Sequence, residues 1–125
     1  MEEGIRSCRD GAGAGLDLYC GTQPYRSLLA GTCVVGVDID RHFGRADLIG
    51  DMPLPLRSGA FGVVTCTQAL YFRSDDVRVV AEMQRVLEPG GCAVVTVPHL
   101  WRRDYPSVRR YGRADLADLL SQKAW

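Results

Sequence analysis

Apolar residues along this chain fall into short continuous runs bounded by glycine, proline and aspartate, and near residue 80 the runs give way to helical spacing. Leu16 to Tyr19 is the first run, and it leads into the turn Cys20-Gly21-Thr22-Gln23-Pro24. Pro24 suits the first position of a helix continuing to Leu29, where its missing N–H would have no partner in any case. Cys33-Val34-Val35-Gly36-Val37 is apolar throughout, the pattern of a strand covered on both faces of a parallel sheet, and Asp38 ends it. Asp47 to Asp51 predicts a shorter third strand, and Phe61 to Thr67, rich in valine and threonine, a fourth. Between them, Pro53 and Pro55 forbid a helix and hold an extended loop.

Ser74-Asp75-Asp76 offers a capping side chain and negative charge at a helix start. Val77, Val80, Ala81, Gln84 and Leu87 then recur at helical spacing until Pro89-Gly90-Gly91 stops the helix. Cys92 to Val97 is a fifth strand closed by Pro98, and from Arg113 the residues Leu116, Leu119 and Leu120 mark a last amphipathic helix ending near Lys123. Met1 to Gly13 is polar and glycine-rich and reads as a loose leader. Within it, Gly11-Ala12-Gly13-Ala14-Gly15-Leu16 departs from the GxGxxG dinucleotide fingerprint, because Leu16 takes the last glycine's place and no strand precedes it.

Strand and helix thus alternate with short connections, which predicts an α/β fold, Rossmann-like, with right-handed crossovers. A chain of 125 residues has room for one such domain, 1–125. Charge changes this picture little. The 15 basic and 15 acidic residues balance, all but one of the basic ones being arginine, so there is no overall field to draw the chain to nucleic acid or anionic lipid, and neither is an expected partner. The five cysteines, Cys8, Cys20, Cys33, Cys66 and Cys92, have irregular spacing and only His42 and His99 as companions, which argues against a metal site. Cys33, Cys66 and Cys92 lie in apolar runs where a thiol behaves as a small buried hydrophobe, the expectation for a reducing compartment. With no signal peptide and no apolar run near the ~18 residues of a membrane span, a cytoplasmic location follows.

Candidate chemistry gathers at strand ends. Asp17 and the Gly21 turn flank the end of the first strand, where a close backbone and a following helix start can approach an anionic group. Asp38 ends the second strand, placed to accept hydrogen bonds from both hydroxyls of a ribose, and Asp51 ends the third, placed to accept from the exocyclic amine of adenine. Each aspartate alone reads as a turn residue, but the three at successive strand ends point to one crevice for an adenosine-containing cofactor.

At these residues the sequence resembles the class I S-adenosylmethionine-dependent methyltransferases, over Leu16 to about Leu120. Leu16-Asp17-Leu18-Tyr19-Cys20-Gly21-Thr22 is similar to the family's first motif and Val35-Gly36-Val37-Asp38-Ile39-Asp40 to its acidic second. Gly50-Asp51-Met52-Pro53-Leu54-Pro55-Leu56 with Phe61-Gly62-Val63-Val64 resembles the adenine loop and fourth strand, and Arg85-Val86-Leu87-Glu88-Pro89-Gly90-Gly91 the turn before strand five. The resemblance implies a parallel sheet of about five strands in the order 3-2-1-4-5 with helices on both faces, S-adenosylmethionine as cofactor, and methyl transfer to a small-molecule acceptor. It further implies that Asp17, Tyr19, Cys20 and Gly21 frame the methionine end, Asp38 holds the ribose, Ile39 and Met52 sandwich the adenine with Asp51 at its amine, and the backbone of Cys66 and Thr67 faces the amino group. Tyr71, His99, Trp101, Tyr105 and Tyr111 stand on the acceptor side, none of them an assigned catalytic residue.

Three departures qualify the resemblance. Tyr19 and Gln23 stand where the family has the outer two of three alternating glycines, and a side chain at the first would intrude on the methionine end of the cofactor. Gly62 replaces a customary aspartate. The helix before strand one and the closing antiparallel hairpin are missing, so Cys92 to Val97 becomes an apolar sheet edge with no charge or bulge to blunt it, suited to pairing with a second copy or another chain. Two readings follow, a methyltransferase and a catalytically inactive interaction module or truncated remnant that pairs through that edge.

Overall fold

The continuous apolar runs become the strands of one sheet. The structure, a computed structural model, describes residues 13–24, 26–29, 33–41, 44–67, 69–70, 73–97 and 113–121. Strands β1 (Ala14–Leu18), β2 (Val34–Asp38), β3 (Leu48–Ile49), β4 (Phe61–Thr67) and β5 (Leu87–Thr96) pair in the order β3-β2-β1-β4-β5. Every neighbouring pair is parallel, so all the carboxyl ends lie on one rim. This is the Rossmann-like topology, with β1 in the centre and Leu16 and Leu18 wholly buried.

Side-chain alternation divides the core between the two faces of the sheet. Leu16, Leu18, Val37, Val64 and Cys66 meet helix α1 (Asp76–Val86) through Val79, Val80, Met83 and Val86, and helix α2 (Arg113–Ser121) through Leu119. On the other face Val63 packs against Leu29 of a short 3-10 helix, Arg26–Leu29, with Leu28, Val34 and Val94 around them. Helical segments therefore cover both faces, as the alternation predicts.

Several expected boundaries are corrected. The helix expected from Pro24 is a single 3-10 turn beginning at Arg26, and the third strand shrinks to Leu48–Ile49. The buried face of α1 runs through Asp76, Val79, Val80, Met83 and Val86, while Val77 is 45% exposed. Periodicity started at Val77 selected a stripe rotated away from the one that reaches the sheet. Asp75, at the N-cap position, makes no side-chain cap bond; Arg73 takes its carboxylate instead.

Pro89-Gly90-Gly91 is also not a loop between helix and strand. Phe61 pairs with Leu87 and Val63 with Cys92, so Gly62 alone lies opposite 88–91, which bend out of the ladder with Gly90 at φ 80°. The edge strand thus carries the irregularity that the sequence pattern omits. A side chain at Gly91 would meet the Glu88 carbonyl at 2.9 Å, so the bend needs glycine there.

Cysteine states differ from expectation at two positions. Cys20 and Cys66 are buried free thiols, but Cys33 is exposed, since it precedes β2 and no described element covers it. Cys92 is half-buried and disulfide-bonded. Among the described residues no helix is long and apolar enough to cross a membrane, and no cluster of ligating side chains could hold a metal. The leader before Gly13, His42, and the acceptor-side Tyr71, His99, Trp101, Tyr105 and Tyr111 lie outside the described residues.

Candidate functional site

Parallel pairing puts the ends of β1, β2 and β4 side by side, and the polar groups there form the site. Asp17 lies inside β1, one residue before its end, and is 1% exposed. Its Oδ1 accepts from the Thr65 hydroxyl of β4 at 2.9 Å, whereas its Oδ2 is buried with no partner. Burial pushes the carboxyl up to about 6; the Thr65 bond opposes the rise and the nearby Asp38 charge adds to it. A buried acceptor left open inside a strand is expensive, and it marks a place where a donor belongs.

The loop after β1 turns back on itself through three left-handed residues, Tyr19 at φ 55°, Gly21 at 53° and Gln23 at 56°. These are the positions that the resemblance assigns to glycines. The glycine-type backbone is therefore kept, at about 1–2 kcal/mol for each side chain forced into it. The turn brings the Gly21 amide to Asp38 at the tip of β2, donating to Oδ2 at 3.0 Å, while the Ile39 amide donates to Oδ1 at 2.8 Å. Each carboxylate oxygen keeps a lone pair for a further donor.

Gln23 does not enter the crevice. Its side chain is buried against β2, where Nε2 donates to the Arg45 carbonyl and Oε1 accepts from Arg26 at 2.5 Å. Arg26 also donates to Asp47 at 2.9 Å and to the Val34 carbonyl at 3.1 Å. Asp47 accepts from the Gly36 amide at 2.7 Å, and that bond, with the Arg26 guanidinium, holds its carboxyl below the usual range despite partial burial.

Tyr19 does extend across the rim. Its hydroxyl donates to Asp51 Oδ1 at 3.3 Å, and the guanidinium of Arg73 lies over its ring, 5.6 Å from the centroid. Arg73 donates to Asp51 Oδ2 at 2.9 Å and grips both oxygens of Asp75 at 2.8 Å each. Burial would raise the Asp51 carboxyl, but the bond from Arg73, the Met52 amide and the Tyr19 hydroxyl together leave it below the usual carboxylate range. Burial, with the negative charge of Asp51, pushes the Tyr19 phenol well above its ordinary value, so it stays a donor at neutral pH.

The loop carrying Asp51 and Met52 is clamped to α1. Glu82 accepts from the Leu54 amide at 2.8 Å, and Arg85 donates to the Leu54 and Leu56 carbonyls at 3.1 and 2.9 Å. Met52 packs on the core, while Ile39, 50% exposed, leaves an apolar surface open beside Asp38. Burial pushes the Cys66 thiol up to about 12 and the Cys20 thiol up to about 11, which leaves both protonated and unreactive. Thr67 closes β4 on the same rim.

A family model described as a methyltransferase domain matches residues 16–95. The chain belongs to the methyltransferase domain family. The resemblance of its motifs to class I S-adenosylmethionine-dependent methyltransferases implies S-adenosylmethionine as the cofactor. No curated protein sequence matches the chain. Solved structures similar to this methyltransferase domain include the 4+2 cyclase SpnF, 23% identical with a TM-score of 0.76, covering 97% of this chain and 55% of that one. A Thermotoga maritima protein described as a SAM-dependent methyltransferase and possible histamine N-methyltransferase is 17% identical, with a TM-score of 0.75 and coverage of 97% and 69%. The putative methyltransferase in a complex with the Haloferax volcanii activator Trm112 is 21% identical, with a TM-score of 0.70 and coverage of 87% and 59%. The methyltransferase domain thus spans little more than half the length of SpnF.

The residues present fit the implied cofactor. Its ammonium group is a donor of the kind that the open Oδ2 of Asp17 lacks, and Asp38 is fixed by two backbone amides with lone pairs to spare for ribose hydroxyls. The structure links Asp17 to Asp38 electrostatically, and among the described residues Asp51 is tied to the loop after β1 through Tyr19. Sequence reading found the three aspartates and missed Thr65, Arg73 and Arg26. Thr65 had a signal, a hydroxyl in the middle of an apolar strand. Arg73 had none, because its partners Asp51 and Tyr19 come from distant segments.

Proposed function

We propose that this chain is the cofactor-binding domain of an S-adenosylmethionine-dependent methyltransferase acting on a small-molecule acceptor. The observation that carries the reading is Asp38, presented at the tip of β2 with both oxygens aligned by the amides of Gly21 and Ile39. In this role Asp38 accepts from the ribose hydroxyls and Asp17 Oδ2 accepts from the ammonium of the methionine end. Ile39 and Met52 flank the adenine, Asp51 meets its amine, and Tyr19, Cys20, Gly21, Cys66 and Thr67 line the methionine end.

When bound, the cofactor supplies an electrophilic methyl group on a sulfonium. The chain's own part is to position it and exclude water, and a displacement of this kind proceeds on such positioning with no obligatory general base. Calorimetric titration with S-adenosylmethionine tests the reading. Micromolar binding that Asp38→Ala abolishes supports it, and absence of heat at millimolar cofactor defeats it. A single domain working in the cytoplasm belongs to the same proposal.

A second reading, an inactive module that pairs through its edge, is favoured by β5 ending the sheet order and by the Tyr19 ring tied across the rim. It predicts a concentration-dependent dimer, or a partner strand, along 92–97. A stable monomer by light scattering at high concentration removes that reading.

A further inference from the structure

Side chains at the rim of the proposed adenosine site are bonded to one another. We infer that Tyr19, Arg73 and Asp51 form a latch that must open before the cofactor seats, an inference that rests on the function proposed above.

Asp51 is the carboxylate assigned to the adenine amine, and both its oxygens are already engaged, Oδ1 by the Tyr19 hydroxyl at 3.3 Å and Oδ2 by Arg73 at 2.9 Å. The Tyr19 ring is pinned from above by the same guanidinium, and Arg73 is itself anchored by Asp75. The three groups come from the loop after β1, the loop after β3 and the segment after β4, so the latch joins three of the segments that would surround the ligand. Tyr19 also sits in left-handed backbone, where glycine would be free of strain. The contacts are few and partly exposed, with Asp51 46% accessible, so the closed arrangement is one that a ligand can displace. Opening swings the phenol off the space that a glycine would leave clear.

The experiment is titration of the full chain and of Tyr19→Gly and Tyr19→Phe with S-adenosylmethionine, with stopped-flow association alongside. If the open form is about one tenth of the wild-type population, Tyr19→Gly tightens the apparent Kd about tenfold. Tyr19→Phe, which keeps the ring and loses only the bond to Asp51, tightens it by a smaller factor. Wild-type association rates level off as cofactor concentration rises, and those of Tyr19→Gly do not. Binding by the wild type that is unchanged or weakened in both variants overturns the latch and leaves the proposed function standing. If none of the three proteins binds at millimolar cofactor, the functional reading fails and the latch with it. Tyr19→Phe, the conservative change, decides the matter should Tyr19→Gly fold poorly.

Discussion

The amide of Gly21 donates to Oδ2 of Asp38 at 3.0 Å, so the loop after β1 and the tip of β2 are one mechanical unit. The bond spans 17 residues of chain and joins two of the elements from which the crevice is built. It explains how the loop holds a glycine-type path although only one of its three left-handed residues is glycine: the anchor at Gly21 fixes the middle of the turn.

Asp38→Asn separates this structural role from ligand binding. An asparagine must turn its NH2 toward either the Gly21 or the Ile39 amide, which loses one charge-assisted bond and sets two donors face to face. The variant should lose about 1–3 kcal/mol without any ligand, read as a lower urea midpoint at unchanged slope. An unaltered midpoint would show that the two amides do not hold the loop.

Gln23 and Gly36 form a second coupled pair. A Cβ built on Gly36 would sit 2.7 Å from the Gln23 amide carbon, and that side chain is held by Arg45 and Arg26 and cannot simply swing aside. Gly36→Ala should therefore cost about 1–3 kcal/mol from overpacking. Gln23→Gly vacates the space and relieves its own left-handed strain, so in that background Gly36→Ala should become nearly neutral. A coupling energy under about 0.5 kcal/mol in the double-mutant cycle would disprove the contact.

What could be read from the sequence follows from how each element is stabilised. β1, β2 and β4 are apolar because they are buried, and a run such as Phe61–Thr67 announces that whatever surrounds it. The path of 88–91 is not so announced, since Pro89-Gly90-Gly91 satisfies a loop and an outward bend equally well and only pairing with Val63 decides. In α1, Val80 belongs to both the predicted stripe and the buried face, whereas Val77 and Val79 are both apolar and only the sheet's position distinguishes them. At the site, the aspartates at strand ends were legible because strand order alone brings them to one rim. The grip of Arg73 on Asp51 depends on where two loops cross, which no local spacing encodes.

Asp17 gives the stability of the fold a pH dependence of recognisable sign. Burial raises its carboxyl from 3.8 to about 6, so between those values the native state holds a proton that the unfolded chain has released. Stability is therefore greatest below the lower value, falls as pH rises through the window, and levels off above about 6; the full loss is on the order of 3 kcal/mol. The carboxylates held low, Asp47 by the Gly36 amide and Arg26, Asp51 and Asp75 by Arg73, and Glu82 by Arg85, act in the opposite sense. Their contribution is present above the ordinary value, 3.8 for the aspartates and 4.5 for Glu82, and disappears as pH falls below it, so only Glu82 reaches into the lower part of the Asp17 window. Asp17→Asn keeps an acceptor for Thr65 and cannot titrate, so its melting temperature should vary less between about pH 4 and 6 than that of the wild type. The difference between the two profiles cancels histidine contributions common to both. A donor placed on Oδ2 by a cationic ligand would pull the Asp17 carboxyl down, so S-adenosylmethionine should bind more tightly as pH rises toward about 6 and level off above it, and the Asp17→Asn variant should lose that dependence. Identical pH profiles for the two proteins, in melting and in cofactor affinity, would show that the orphaned oxygen is not the group the ligand meets.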